Sequence, residues 1–98
     1  MPVIRINDFH AADGRSDALR SFLSGVIDLV KDAAGCRAVE LLVDPTDASH
    51  LIILETWDDV AAHQAAAQQV PPEKIAEIMP LLSKPVTGKY YERLTTTD

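Results

Sequence analysis

Apolar and polar residues alternate at the start of the chain. In the segment Val3–His10, Ile4 and Ile6 fall on one side, whereas Arg5 and Asn7 fall on the other. A period of two residues is typical of a β-strand, because successive side chains point to opposite faces. The turn residues Asp13-Gly14 that follow predict where this first strand gives way to the next element.

The period then changes to that of a helix. From Ser16 onward, apolar residues recur every three or four positions, which predicts an amphipathic helix with one buried stripe. Gly35 is placed to end this helix in the left-handed conformation that glycine adopts without strain. The stripe consists of Ala18, Leu19, Phe22, Leu23, Val26, Ile27 and Val30.

Strand patterning returns after Gly35. Residues 37–43 alternate again, and Asp44-Pro45-Thr46-Asp47 has the composition of a tight turn. The nearly continuous apolar run Leu51–Trp57 predicts a central strand that is covered on both faces. The two segments therefore predict a β-hairpin in the middle of the chain.

The second half of the chain predicts more helix and a last strand. Asp58 or Asp59 is suited to cap a helix, and consecutive prolines interrupt one because neither has an N–H to donate. Pro80 is expected to kink the second helical segment, and residues 95–98 are expected to form a loose tail. The predicted helix, break, helical segment and strand are Val60–Gln69, Pro71-Pro72, Glu73–Leu82 and Val86–Leu94.

The element order is β-α-β-β-α-β, which predicts a single α+β domain over residues 1–98 with a core at about 3–94. Right-handed crossovers give this order a ferredoxin-like antiparallel sheet with both helices on one face. The other face then exposes more branched apolar side chains than a monomer tolerates, so we expect a homodimer formed through the sheet. The residues expected on that face include Val39, Leu41, Ile52 and Leu54.

Composition narrows the class of partners. The chain has 98 residues, of which 47% are hydrophobic, and a net charge of −6. The excess of acidic residues argues against nucleic acid and anionic membranes, which require clustered lysine and arginine. No apolar run reaches the roughly 20 residues of a membrane span, and the start of the sequence shows no secretion signal. With a single cysteine, Cys36, no internal disulfide is expected, and we expect a cytoplasmic protein.

Four ordered motifs give the chain a family likeness from about Ile4 to Leu94. They are Asp13-Gly14, Ala34-Gly35-Cys36, Val39–Asp44 and Leu54–Trp57 followed by a helix. Together they resemble the antibiotic biosynthesis monooxygenase (ABM) family. The resemblance implies a dimeric α+β barrel, in which two ferredoxin-like sheets pack face to face. It leaves the reaction open, since members include cofactor-independent oxygenases of anthrones and quinols, haem-degrading enzymes and proteins with no known reaction.

Glu55, Trp57 and His63 are candidate site residues. Trp57 is either a core aromatic or, as in the oxygenases that the chain resembles, the wall of a substrate cavity. Glu55 lies in an apolar strand, so its carboxylate must find a partner or take up a proton. An arginine partner or a helix cap would make Glu55 structural, whereas a free proton-accepting oxygen would make it a general base.

His63 lies on the second helix at a position where some oxygenases of the family carry a tyrosine. It can hydrogen-bond a phenolic substrate or accept its proton near neutral pH, or it can be merely structural. Tyr90 and Tyr91 must point to opposite faces of the last strand, so one of them can contact a substrate. The same oxygenases carry an asparagine four residues before the tryptophan, where this chain has Ile53. That difference removes a polar group expected to stabilise oxygen.

Asn7 occupies the place of a first-strand asparagine in the haem-degrading members and is a further candidate for substrate binding. Those members also need a second tryptophan and a haem-ligating histidine, and Trp57 is the only tryptophan here. We therefore expect neither haem degradation nor a cofactor. The three histidines share no ligand spacing, which argues against a metal site. Two hypotheses result: a cofactor-independent monooxygenase of an electron-rich aromatic such as a quinol or anthrone, and a non-catalytic dimeric module that binds a small hydrophobic ligand.

Overall fold

The computed structural model describes residues 1–97. It contains four strands, three α-helices and one turn of 3-10 helix at Met79–Leu81. The strands are β1 (Val3–His10), β2 (Cys36–Asp44), β3 (Asp47–Trp57) and β4 (Thr87–Tyr91), and the helices are α1 (Ser16–Val30), α2 (Val60–Gln68) and α3 (Pro72–Ile78). Asp98, the last residue of the predicted tail, lies outside the described residues.

The four strands form one antiparallel sheet in the order β2-β3-β1-β4. The predicted ferredoxin-like α+β fold is therefore confirmed, with β1 and β3 at the centre and β2 and β4 at the edges. β3 is longer than predicted, because it pairs with β2 up to a two-residue turn at Pro45-Thr46. Within residues 1–97, no helix is both long enough and apolar enough to cross a membrane.

The hydrophobic core lies between α1 and one face of the sheet. Leu19 and Leu23 of α1 are fully buried and pack against Phe9 of β1 and against Leu51 and Ile53 of β3. Burying a side chain of this size stabilises the fold by about 1.5–3 kcal/mol. The stripe predicted for α1 therefore faces the sheet as expected.

The strand register shows that the helix-free face contains different residues from those predicted. Val39 pairs with Glu55 and Leu41 with Ile53, so both β2 residues lie on the helix side and pack against the core. Their expected place on the uncovered face was wrong, because the parity of β2 depends on a register that its own sequence does not determine. Ile52 and Leu54 do lie on the uncovered face, as predicted, together with Ile4, Ile6 and Leu42.

α1 ends at Val30, before the predicted glycine. Turns join Val30 to β2, and Gly35 takes a φ of +86° at the end of them. A Cβ at position 35 would lie 2.6 Å from Cβ of Ala62. Gly35 thus allows α2 to approach the start of β2 closely, rather than capping α1.

The helical segment after β3 is divided by its prolines. Asp59 caps α2, since its carboxylate accepts the N–H of Ala62 at 2.8 Å. Pro72 then occupies the first turn of α3, where its missing N–H costs nothing. Pro80 converts the end of the predicted segment into the 3-10 turn.

β4 is shorter than the predicted Val86–Leu94. Its last residue, Tyr91, pairs with Ile4 near the start of β1. β1 begins at Val3, and Pro2 before it has no N–H to donate. The chain beyond Tyr91 therefore finds no strand partner within residues 1–97, and Leu94 is fully exposed.

Candidate functional site

A cluster of polar and aromatic side chains lies on the helix side of the sheet, beside the apolar core. The strand register brings it together: Arg5 on β1 stands opposite Glu55 on β3 and opposite Tyr90 on β4. Residues of one row in neighbouring strands share a face. The members of this polar cluster are Arg5, Asn7, Glu55, Trp57, His63 and Tyr90.

Glu55 and Trp57 form the buried floor of the cluster. They are two residues apart on β3 and so share a face, with exposed fractions of only 5% and 1%. The indole N–H of Trp57 donates to Oε1 of Glu55 at 2.8 Å. The predicted arginine partner or helix cap of Glu55 is thus replaced by the indole. Burial raises the pKa of the Glu55 carboxyl, while the Trp57 hydrogen bond and the charge of Arg5 oppose that shift.

His63 bridges the floor to the last strand. It lies in the first turn of α2, and its Nδ1 is 2.5 Å from the hydroxyl of Tyr90, while its Nε2 is 3.8 Å from Oε1 of Glu55. Its ring contacts the rings of Trp57 and Tyr90 edge-on. Burial, reinforced by the charge of Arg5, lowers the pKa of His63 below its usual 6.5. A neutral imidazole with its proton on Nε2 accepts the Tyr90 hydroxyl proton at Nδ1.

Arg5 holds the solvent side of the cluster. Its Cζ lies 4.6 Å from the centroid of the Tyr90 ring, and its Nε donates to Oδ1 of Asn7 at 3.1 Å. A Cβ on Gly88 of β4 would overlap the Arg5 guanidinium and the Asn7 amide oxygen. Gly88 is therefore the residue that leaves room for this pair. The side chains of Arg5, Asn7 and Tyr90 are only half-buried, so solvent reaches this part of the site.

The register separates the two neighbouring tyrosines. Tyr90 pairs with Arg5 and faces the helices, whereas Tyr91 pairs with Ile4 on the opposite face and is 48% exposed. Tyr91 therefore lies outside the polar cluster. The sequence offers Arg5 only as an arginine that could pair with Glu55 or Glu40, and its contacts with Asn7 and Tyr90 were not predicted. Its period-two spacing from Asn7 was a signal that could have found the first of these contacts.

Two apolar grooves open among the helices. The first, about 140 Å³, lies between α1, α3 and Phe9, and the second, about 340 Å³, lies between the ends of α1 and α2 and the start of α3. Both are lined by Val70 and Lys74, so the segment between α2 and α3 separates them. Trp57, predicted to be either a core aromatic or a cavity wall, is 1% exposed and lines neither groove.

The family model for antibiotic biosynthesis monooxygenase matches residues 2–72 of the chain. Comparison with curated proteins finds no significant sequence relative.

Several solved structures share the fold over almost the whole chain. Rv0793 from Mycobacterium tuberculosis is 23% identical with a TM-score of 0.85, and 100% of each chain is covered. PA3566 from Pseudomonas aeruginosa is 25% identical with a TM-score of 0.82, covering 96% of this chain and 95% of that one. SnoaB from Streptomyces nogalater, a cofactor-independent oxygenase solved in a mutant form, is 15% identical with a TM-score of 0.81, covering 97% and 95%.

Proposed function

The chain belongs to the antibiotic biosynthesis monooxygenase family, and we propose that it is a cofactor-independent monooxygenase of an electron-rich hydroxyaromatic, such as a quinol or an anthrone. The observation that carries this proposal is the position of His63. A largely buried, neutral imidazole is held between the carboxyl of Glu55 and the hydroxyl of Tyr90. An acid–base group in this setting is suited to take a proton from a phenol near neutral pH.

The reaction balances without an external reductant. A substrate written SH₂ reacts with O₂ to give SO and H₂O, so one oxygen atom enters the substrate and the other leaves as water with the two substrate hydrogens. The electrons come from the ring once it has lost its hydroxyl proton. The protein then has to bind the ring, accept the proton and limit the access of water.

Tyr90 is the group we expect to meet the substrate hydroxyl. It is half-buried and lies against Arg5, in the part of the cluster that solvent reaches. A substrate hydroxyl that donates to the Tyr90 oxygen passes its proton on through the Tyr90 hydroxyl to Nδ1 of His63. The Glu55 carboxyl, 3.8 Å from Nε2, then stabilises the imidazolium that forms.

The reacting ring lies over Arg5 and Tyr90 in this proposal, rather than in the first apolar groove. Phe9, which lines that groove, is four residues from Arg5 along β1, or roughly 13 Å at the rise of an extended strand. A single ring bound there could not bring its hydroxyl to Tyr90. A groove of about 140 Å³ instead suits an apolar substituent of the substrate.

Oxygen uptake tests the proposal directly. A panel of quinols and anthrones is incubated with the protein under ¹⁸O₂, and uptake is measured together with the label in the product. We expect one labelled oxygen per product and a loss of about 10²-fold or more in Tyr90→Phe and His63→Gln, as is usual for general acid–base groups. Tyr91→Phe is the matched control, because Tyr91 faces away from the cluster.

One observation favours the second hypothesis, a non-catalytic module that binds a hydrophobic ligand. Ile53 is 2% exposed and packs in the apolar core, so no polar group stands at that position to stabilise oxygen. Binding of the panel compounds without oxygen uptake, in wild type and in both variants alike, would favour the module over the enzyme.

We infer that the chain functions as a homodimer that pairs through the helix-free face of the sheet. Ile6, Ile52 and Leu54 are half-buried there, and Leu42 is 42% exposed. A stable interface of standard size covers about 800 Å² on each partner. Packing two such faces together removes these apolar groups from water and gives the barrel arrangement that the family resemblance implies.

A further inference from the structure

A second cluster of chemistry-bearing side chains lies on the helix-free face, far along the sheet from Glu55. His10 at the end of β1 stands directly opposite His50 near the start of β3. The two imidazole rings are stacked, with centroids 4.4 Å apart and planes 9° from parallel. Asp8 lies two residues before His10 on the same face, and Asp44 ends the neighbouring strand β2.

Each ring nitrogen of His50 faces a carboxylate. Oδ1 of Asp8 is 2.7 Å from Nε2 of His50, and Oδ2 of Asp44 is 3.5 Å from its Nδ1. Asp44 is itself fixed, because its Oδ1 accepts the N–H and the hydroxyl of Thr46 at 2.9 and 2.8 Å. His50 is thus oriented by one carboxylate at Nδ1, and its Nε2 is directed toward Asp8.

We propose that Asp8, His10 and His50 bind a divalent transition-metal ion of the zinc class, with Asp44 as the carboxylate that orients His50. One ligand atom from each of the three residues lies within 4.8 Å of the others. An ion at the centre of such a triangle is within about 2.8 Å of each atom. Because the two rings are stacked, they must turn until their in-plane lone pairs converge on the ion at the 2.0–2.2 Å that zinc requires.

The chemistry of the set supports this class of ion. Two imidazoles and one carboxylate are a common ligand set for zinc, and they leave a fourth position for water. Metal-ligating histidines usually donate their second N–H to a carboxylate, which is the arrangement of Asp44 with His50. In the single chain, the side chains of His50 and Asp8 are 22% and 33% exposed, so an ion can reach them from solvent before two helix-free faces pair.

Protons compete with the metal at this site. Zinc binds the neutral imidazole, so protons compete with the ion at His10 and His50, and affinity falls as the pH is lowered. The charged and titratable groups that act on the pair are Asp8, Asp44, Asp47 and Lys84.

Calorimetric titration with Zn²⁺ tests the proposal on the full chain after treatment with EDTA. We expect one ion per chain at pH 7.5, with at least tenfold weaker binding at pH 5.5. His10→Gln and His50→Gln should abolish binding, and Asp44→Asn should weaken it by about 10–100-fold. Cys36→Ser is the control, since it removes the one thiol and should leave the affinity unchanged.

A measurement on the wild-type protein covers the case in which a variant fails to fold. Added Zn²⁺ should shift the imidazole NMR signals of His10 and His50 and leave those of His63 in place, and it should raise the melting temperature. Absence of heat and of signal shifts at millimolar Zn²⁺ would overturn the proposal. So would unchanged affinity in both histidine variants.

Discussion

The hydroxyl of Tyr90 and Nδ1 of His63 lie 2.5 Å apart, joining the last strand to the first turn of α2. Within residues 1–97, neither side chain has another hydrogen bond of comparable length, so each orients the other. The pair connects the helix to the sheet. Its proton is the one that the proposed reaction moves.

In the pH profile of kcat/KM, the loss of activity on the acidic side should occur below the usual titration range of histidine. Because burial and Arg5 lower the pKa of His63 below 6.5, the neutral base survives to lower pH. We expect kcat/KM for oxygen uptake to fall only below pH 6.5, and Arg5→Gln to move that loss to higher pH. Arg37→Gln is the control, since Arg37 pairs with Asp58 at the surface. A loss centred at or above pH 6.5 in wild type contradicts the assignment of His63 as the base.

Glu55→Gln should change how stability depends on pH. Burial raises the folded-state pKa of Glu55, so the unfolded carboxyl loses its proton first, and stability declines as pH rises from 4.5 through the folded pKa. Glutamine keeps an oxygen for the Trp57 N–H but has no proton to lose. In urea titrations, the free energy of unfolding of the variant, relative to that of wild type, should therefore increase as pH rises from 4.5 to 7.5. Glu40→Gln, at an exposed position of edge strand β2, should track wild type throughout. Parallel curves for Glu55→Gln and wild type would contradict the prediction.

Gly88→Ala should disturb the site more than the fold. The added methyl overlaps the Arg5 guanidinium and the Asn7 amide, so Arg5 must leave its place over the Tyr90 ring. Because both displaced groups are the ends of flexible side chains, we expect the free energy of unfolding to change little and oxygen uptake to fall. Gly25→Ala, inside α1 with open space around it, should stabilise by about 0.5–1 kcal/mol and leave oxygen uptake unchanged. If Gly88→Ala takes up oxygen like wild type, Gly88 does not make the room we assign to it.

The segment Gln68–Val70 should become protected when a ligand binds. It joins α2 to the Pro71-Pro72 break and is exposed, and Val70 lines both apolar grooves. Segments with few buried contacts open at low free-energy cost. Hydrogen exchange with a quinol under anaerobic conditions should be fast at these amides in the free protein and slow in the complex. Amides of Leu19 and Leu23, already in the core, should not change. Fast exchange at saturating quinol would leave the segment as a passive connector.

Leu54→Lys should dissociate the homodimer. Leu54 lies on the helix-free face, where a charge cannot be buried against a second copy without a partner. Light scattering of wild type at micromolar concentration should give about twice the 10.7 kDa of one chain, and the variant should give the mass of one. Leu29→Lys, on an exposed position of α1 (60% exposed), should remain dimeric. A wild-type mass of one chain would refute the interface.

Local patterns were sufficient to predict most of the fold. The stripe of α1 and the Asp44–Asp47 turn follow from neighbouring residues alone, and both are present in the structure. The ends of α1 and β4 were not predictable in this way. β4 ends at Tyr91 because its partner, Ile4, lies near the start of β1. The length of β4 is therefore set by residues far from it in the sequence.

The candidate site was predicted residue by residue but not as an arrangement. Glu55 and Trp57 share a face by their spacing, so their proximity could be inferred. The choice between Tyr90 and Tyr91 depends on the register of β4 against β1, which no local pattern encodes. The stacking of His10 on His50 was missed for the same reason, because their spacing along the chain bears no relation to their positions in neighbouring strands.

Within residues 1–97, β4 lies at the edge of the sheet and pairs with β1 alone. Tyr90 reaches His63 only after β4 has docked on β1, which closes a long loop between the two strands. During synthesis on the ribosome, β1, β2, β3 and α2 emerge before β4, so His63 has no phenol beside it until β4 docks. The polar cluster is therefore completed late in the folding of this domain.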